Sequence, residues 1–113
     1  MKFNYNNKKF RAVLNSDNGD VSMDMVFHYH QTGNILTCQY FGGKIKLGQL
    51  IGLVDEAGTI DMHYHQITHN NEIMTGVCTS TPQLLNNGKI RLIEHWQWTS
   101  GDKSIGQSVL EEV

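Results

Sequence analysis

The stretch MVFHYHQTGNILTCQYFGGKIKLGQLIGLV, residues 25–54, decides the fold. Apolar and polar residues alternate along it with a period of two, and Thr32-Gly33 (or Gly33-Asn34) and Gly42-Gly43 break the alternation with hairpin-turn chemistry. The same beat runs on in both directions, at Asn18-Gly19, Glu56-Ala57-Gly58, Asn70-Asn71, Asn86-Asn87-Gly88 and Ser100-Gly101. It predicts an all-β chain, an antiparallel up-and-down meander of about eight strands. In so short a chain such a meander hides its edge strands most economically by closing into a small barrel.

Two-residue turns also predict register, because they fix which residues face one another. A turn at Thr32-Gly33 or Gly33-Asn34 puts Met25, Phe27 and Tyr29 on one face with Leu36, Cys38 and Tyr40, and Val26, His28 and His30 on the other. Carried through Gly42-Gly43, Glu56-Ala57 and Asn70-Asn71, the apolar face gains Ile45, Leu47, Gln49, Ile51 and Leu53, then Ile60, Met62, Tyr64 and Gln66, then Ile73, Thr75, Val77 and Thr79. Gly48 and Gly52 then point outward, where missing side chains allow sharp coiling. Residues 81–88 hold the chain's only proline, Pro82, and interrupt the counting, with room for no more than a turn of helix. Composition sends Ile90, Leu92, Glu94, Trp96 and Trp98 inward. A turn at Ser100-Gly101 brings in Ile105, Gln107 and Val109, whereas a three-residue loop brings in Ser104, Gly106 and Ser108. Residues 10–14 form the first strand, precede a polar loop and close the barrel against the last strand.

The 113 residues suit one domain, residues 1–113. A hydrophobic content of 39%, a charged content of 18% and a net charge of -2 describe an ordinary globular protein. The nine Lys and Arg are dispersed, with no basic stripe beyond Lys8-Lys9-Phe10-Arg11, so no nucleic-acid partner is expected. No window approaches the roughly 18 apolar residues of a membrane span. Residues 1–7 carry no apolar signal region, so a cytoplasmic location is expected. Cys38 and Cys78 lack CxxC or Cys-His spacing and read as reduced residues on opposite faces.

Six histidines raise the question of a metal, above all His28-Tyr29-His30 and His63-Tyr64-His65. Both pairs fall on the outward parity with two strands between them, roughly 14 Å at about 4.8 Å per strand, too far for one ion. Asp61, His63 and His65 share a face and form a weak three-ligand candidate; no metal or other cofactor is expected. Glu94 is the sharper feature, since it stands between Leu92 and Trp96 on the apolar parity. In a dry lumen its pKa would rise, and it could anchor a ligand or serve as an acid/base catalyst. Gln49, Gln66, Tyr29, Tyr40, Tyr64, Thr75, Trp96 and Trp98 complete a candidate ligand-binding lumen. The alternative is a small barrel filled by its own side chains. A GxSxG elbow, a P-loop and GxGxxG are all missing.

Gly88-Lys89-Ile90-Arg91-Leu92, Trp96-Gln97-Trp98-Thr99-Ser100-Gly101-Asp102-Lys103-Ser104, and Leu53-Val54-Asp55-Glu56 with Gly58 resemble a family of short bacterial proteins of about this length. The similarity runs over nearly the entire chain. Members are commonly labelled N-acetylglutamate synthase, and in strand pattern they are similar to lipocalin-like (calycin) and streptavidin-like small barrels. The label implies acetyl transfer, but the acetyltransferase loop, Gln/Arg-x-x-Gly-x-Gly/Ala before a helix, does not occur here. No catalytic residue is therefore carried over. Three readings follow: a barrel binding a small molecule, with Trp96, Trp98 and Tyr64 as stacking walls and Glu94 with Gln49 or Gln66 orienting it; an enzyme, through the labelled acetyl transfer or Glu94 acid/base chemistry; or a filled barrel acting as an interaction module, its His-rich wall a homodimer surface. The residues favour binding.

Overall fold

The computed structural model describes residues 3–16, 18 and 25–113. These form nine antiparallel strands in chain order: β1 (Lys9–Asn15), β2 (Val26–His28), β3 (His30–Thr32), β4 (Ile35–Gly42), β5 (Ile45–Val54), β6 (Ile60–Thr68), β7 (Ile73–Leu84), β8 (Ile90–Trp98) and β9 (Ile105–Glu112). Their order in the sheet is β2-β1-β9-β8-β7-β6-β5-β4-β3. β2 and β3 are the two halves of one stretch divided only at Tyr29, so the outermost members are continuous along the chain and the barrel is nearly closed. The first strand pairs with the last, as the sequence predicts. Gly19 of the expected Asn18-Gly19 turn lies outside the described residues.

The register holds at the first hairpin, where Thr32 pairs with Ile35 and Leu36, Cys38 and Tyr40 are buried with Met25, Phe27 and Tyr29. It then slips. Pairing shifts by one residue between Tyr40 and Gly42 on one side of β5 and between Ile45 and Leu47 on the other. Such a bulge flips every later side chain, so Gly48, Leu50, Gly52 and Val54 face inward while Leu47, Gln49, Ile51 and Leu53 face out. The outward placement of Gly48 and Gly52 is thereby corrected. The next turn slips again, because Val54 pairs with Ile60 across residues 55–59, and this second slip restores Ile60, Met62 and Gln66 to the interior, with Tyr64 half-buried.

A second odd-length loop follows β6, where Ile67 pairs with Ile73 and Asn71 takes a φ of 62°. Gly76, Cys78 and Ser80 therefore turn inward, and Ile73, Thr75, Val77 and Thr79 turn out, reversing the expectation for β7. Cys78 thus shares the interior with Cys38, and both are free. β7 runs straight through Pro82 to Leu84, a residue type that central strands reject. It is tolerated because pairing with β6 ends at Ser80, leaving β7 one neighbour beyond that point. β8 faces as expected, with Ile90, Leu92, Glu94, Trp96 and Trp98 buried. β9 adopts the second of the two parities considered, so Ser108 is buried and Ile105 is exposed.

One end of the barrel is shut by the N-terminal segment, a role the sequence reading did not foresee. Tyr5 is fully buried, donates its hydroxyl proton to the Gly58 carbonyl at 2.5 Å, and packs 6.2 Å from the Phe10 ring and 6.3 Å from the Tyr29 ring. Burying a ring of this kind contributes about 1.5–3 kcal/mol. Higher in the barrel, each of three aromatic side chains faces a glycine directly across the ladder: Tyr40 with Gly48, Tyr64 with Gly76 and Trp96 with Gly106. A Cβ at any of these glycines would overlap the ring opposite.

Trp96 has little freedom to retreat, since its indole Nε1 donates to Ser108 Oγ at 2.9 Å. Gly106→Ala is expected to destabilise the fold by a net of about 1–2 kcal/mol, overpacking outweighing the gain from a stiffer unfolded chain. The midpoint of urea unfolding measures it; an unchanged midpoint would contradict ring-on-backbone packing here.

Candidate functional site

The lumen between these aromatic pairs holds the candidate site. Strand β8 supplies Glu94, Trp96 and Trp98 by simple alternation, and β6 supplies Tyr64 and Gln66. With Tyr29 and Tyr40 these line a cavity of about 60 Å³. Seven of the nine residues proposed as ligand-binding from sequence therefore meet in one place. Gln49 and Thr75 do not. The bulge in β5 sends Gln49 to the outer wall, where Nε2 of His65 lies 3.2 Å from its Oε1, and the odd-length loop before β7 sends Thr75 outside to bond Thr99 at 2.6 Å.

Sequence reasoning placed Phe27 and Met62 on the inward face without assigning them to the site, and missed Asn15, Leu50, Cys78, Ser108 and Leu110 in the lining and Ser80 beside it. Ser108 was within reach, because it stands on the second parity considered for β9. Ser80 had a subtler signal: small residues at every second position of β7 complement the large ones of β6 and β8. Polar atoms inside are tied together, Tyr40 Oη donating to Gln66 Oε1 at 3.1 Å and Ser80 Oγ to Glu94 Oε2 at 3.0 Å. Trp98 Nε1 donates to the Asn18 carbonyl at 3.2 Å. The lumen is thus neither solid nor roomy; about 60 Å³ admits a few waters or one compact head group.

Desolvation dominates the electrostatics of this interior. Burial pushes the Glu94 carboxyl up to about 7, against the opposing pull of the Ser80 hydroxyl. Burial pushes the Tyr29 phenol well above its ordinary value, and the neighbouring Glu94 charge adds to the effect. Cys38 is pushed up to about 12 by burial, and burial raises Cys78 too, so both sulfurs stay as poorly nucleophilic thiols. Glu94 is the group in this cavity that can exchange a proton near neutrality.

The histidines stand apart from this chemistry. His28 and His30, with ring centroids 4.6 Å apart, and His63 and His65 border a shallow concavity of about 890 Å³ on the outer wall. β4 and β5 separate the two pairs, as the register predicted. Asp61, His63 and His65 share the outer face of β6 at two-residue spacing, which splays them; among the described residues no three His, Cys, Asp or Glu side chains converge to hold a metal.

Linkage makes the buried carboxyl measurable. The folded protein holds the Glu94 proton to about pH 7, whereas the ordinary value is 4.5. The folded state therefore binds more protons across that window, and stability is full below it and falls as pH rises through it, by on the order of 3 kcal/mol. Glu94→Gln is expected to flatten this slope in urea unfolding at a series of pH values. An equal slope in the variant would contradict the burial of an ionisable Glu94.

Compared with known proteins, the chain matches the family model described as Avidin-like protein over residues 3–113. No curated protein and no solved structure matches it. The N-acetylglutamate synthase label is not supported, since the described residues form an antiparallel barrel without the helix that an acetyltransferase loop would precede. An avidin-like barrel fits a small-molecule-binding scaffold. Both its nearly closed meander and a family match over almost its whole length identify the chain as a member of the avidin-like protein family.

Proposed function

We propose that the protein binds a small molecule in the barrel lumen, with Glu94 as the polar anchor and Trp96, Trp98 and Tyr64 as the aromatic wall. The observation that carries this reading is a residual cavity lined by a buried carboxyl in an otherwise largely aromatic and apolar interior. A buried carboxyl held by a single hydroxyl costs folding stability, and a ligand that hydrogen-bonds it offsets that cost. Aromatic walls add large contact area at little entropic cost. A ligand larger than the cavity would insert its polar head and leave the remainder towards the barrel end.

The chain's two tryptophans both line the site, so fluorescence reports on the lumen directly. A metabolite panel that includes biotin, and separately acetyl-CoA with glutamate, is expected to yield at least one compound that shifts tryptophan emission and raises the melting temperature. That response should be weakened at least about tenfold by Glu94→Gln, the loss expected of a charge-assisted hydrogen bond. A panel without any response in emission or melting would overturn the proposal. Turnover of acetyl-CoA with glutamate would favour the enzymatic alternative.

The outer wall supports a second copy of this chain as partner. Across β4 to β7 the outward residues include Ile35, Leu47, Ile51, Leu53 and Ile73, each 44–71% exposed. Lys46 and Asp61 are the charged residues on that face of these strands. A face nearly free of charge suits a two-fold contact, in which residues near the axis meet their own copies. Barrel walls are saddle-shaped, so two of them interlock when their strands cross near right angles. Light scattering after size exclusion is expected to show a dimer that Ile51→Lys converts to monomer. A monomeric native protein would contradict the contact.

A further inference from the structure

The charges that line the lumen are one-sided. Glu94 is its ionisable acid, and no Lys, Arg or His among the described residues lines the cavity. The other titratable groups facing it are the phenols of Tyr29, Tyr40 and Tyr64 and the thiol of Cys78, with Cys38 close by, and none of these supplies a positive charge. An anionic head would therefore meet a carboxylate without a compensating cation. A neutral head would hydrogen-bond the carboxylate but leave its charge uncompensated.

The geometry points to a compact organic cation, the amine or guanidinium head of a small molecule, as the ligand class of this lumen, held between Glu94 and the faces and edges of its aromatic wall. This rests on the lumen being a small-molecule site. Four observations carry it. The acid is nine-tenths buried and accepts from Ser80 through one oxygen, so a bound cation completes its coordination. Six of the lining side chains are aromatic (Phe27, Tyr29, Tyr40, Tyr64, Trp96 and Trp98), and desolvated aromatic faces attract cations by about 2 kcal/mol each. The cavity of about 60 Å³ limits the head to a few heavy atoms. Finally, Glu94 is the single carboxylate of the lining and its other oxygens are neutral phenols, amides and a hydroxyl, several already bonded to one another, which suits a bare metal cation poorly, whereas amine and guanidinium heads pair with a single carboxylate.

The test uses methylguanidine and n-butylamine against their neutral counterparts methylurea and n-butanol, and against butyrate. Tryptophan emission and melting temperature are the readouts. Both cations are expected to bind, the neutral compounds at least about tenfold more weakly and butyrate not at all, following the worth of a charge-assisted bond. Because the cation takes ionised Glu94, its affinity should rise about tenfold per pH unit up to the carboxyl's midpoint and level off above it, with a proton released on binding. Glu94→Gln, shown to be folded by circular dichroism, should lose both the preference and the pH dependence. The pH profile of the native protein tests the same claim without any substitution. If methylurea, n-butanol or another uncharged compound binds as well as the cations, the inference fails while the lumen remains a binding site. If the cations fail and the wider metabolite panel also gives no response, both readings fall together.

Discussion

Three large rings facing three glycines across the ladder set the terms for everything inside this barrel. Tyr40, Tyr64 and Trp96 are too big to point at the axis of so narrow a cylinder together, and each instead occupies the space that the glycine opposite leaves empty. The rings thereby belong to the wall. A barrel of this size would otherwise be filled by its own side chains, as small barrels commonly are. Because the rings are displaced outward, a residual space survives around Glu94, and it is bounded by aromatic surface. Packing and site are consequences of the same pairing.

That arrangement also explains which parts of the molecule could be read from the chain and which could not. The alternation in β4, β6 and β8 is unambiguous because one parity is plainly apolar, and Glu94, Trp96, Trp98, Tyr64, Gln66, Tyr29 and Tyr40 follow from it. In β5 both parities are apolar: Leu50 and Val54 on one, Leu47, Ile51 and Leu53 on the other. A hydrophobic pattern cannot then detect a bulge. Gly48 was the available clue, since a glycine opposite a tyrosine marks the crowded side. β7 misleads for a related reason, because its inward Gly76, Cys78 and Ser80 are smaller and less obviously apolar than its outward Ile73 and Val77. Inside a tightly curved barrel, small is as informative as apolar.

The apolar outer residues that obscure the register have their own physical meaning. Strand faces turned to water are ordinarily polar, and Ile51 at 59% exposed or Ile73 at 71% exposed departs from that norm. A wall of this kind, with its four histidines and scarce charge, is suited to contact with a second barrel. The molecule thus divides its chemistry radially: an acidic, aromatic interior suited to a small ligand, and an apolar, nearly uncharged exterior on β4 to β7 suited to a macromolecular neighbour. The two do not share residues, apart from Tyr64 and Leu50, whose strands separate one space from the other.

The site depends on a carboxyl group lodged in a desolvated lumen that the aromatic–glycine pairs keep from filling. The most direct measurement is the carbon-13 chemical shift of the Glu94 carboxyl followed through a pH titration of the ligand-free protein. A midpoint near 7 is predicted, with the neighbouring Trp96 indole resonance moving in parallel. A midpoint in the ordinary carboxylate range would place Glu94 in water and contradict the account.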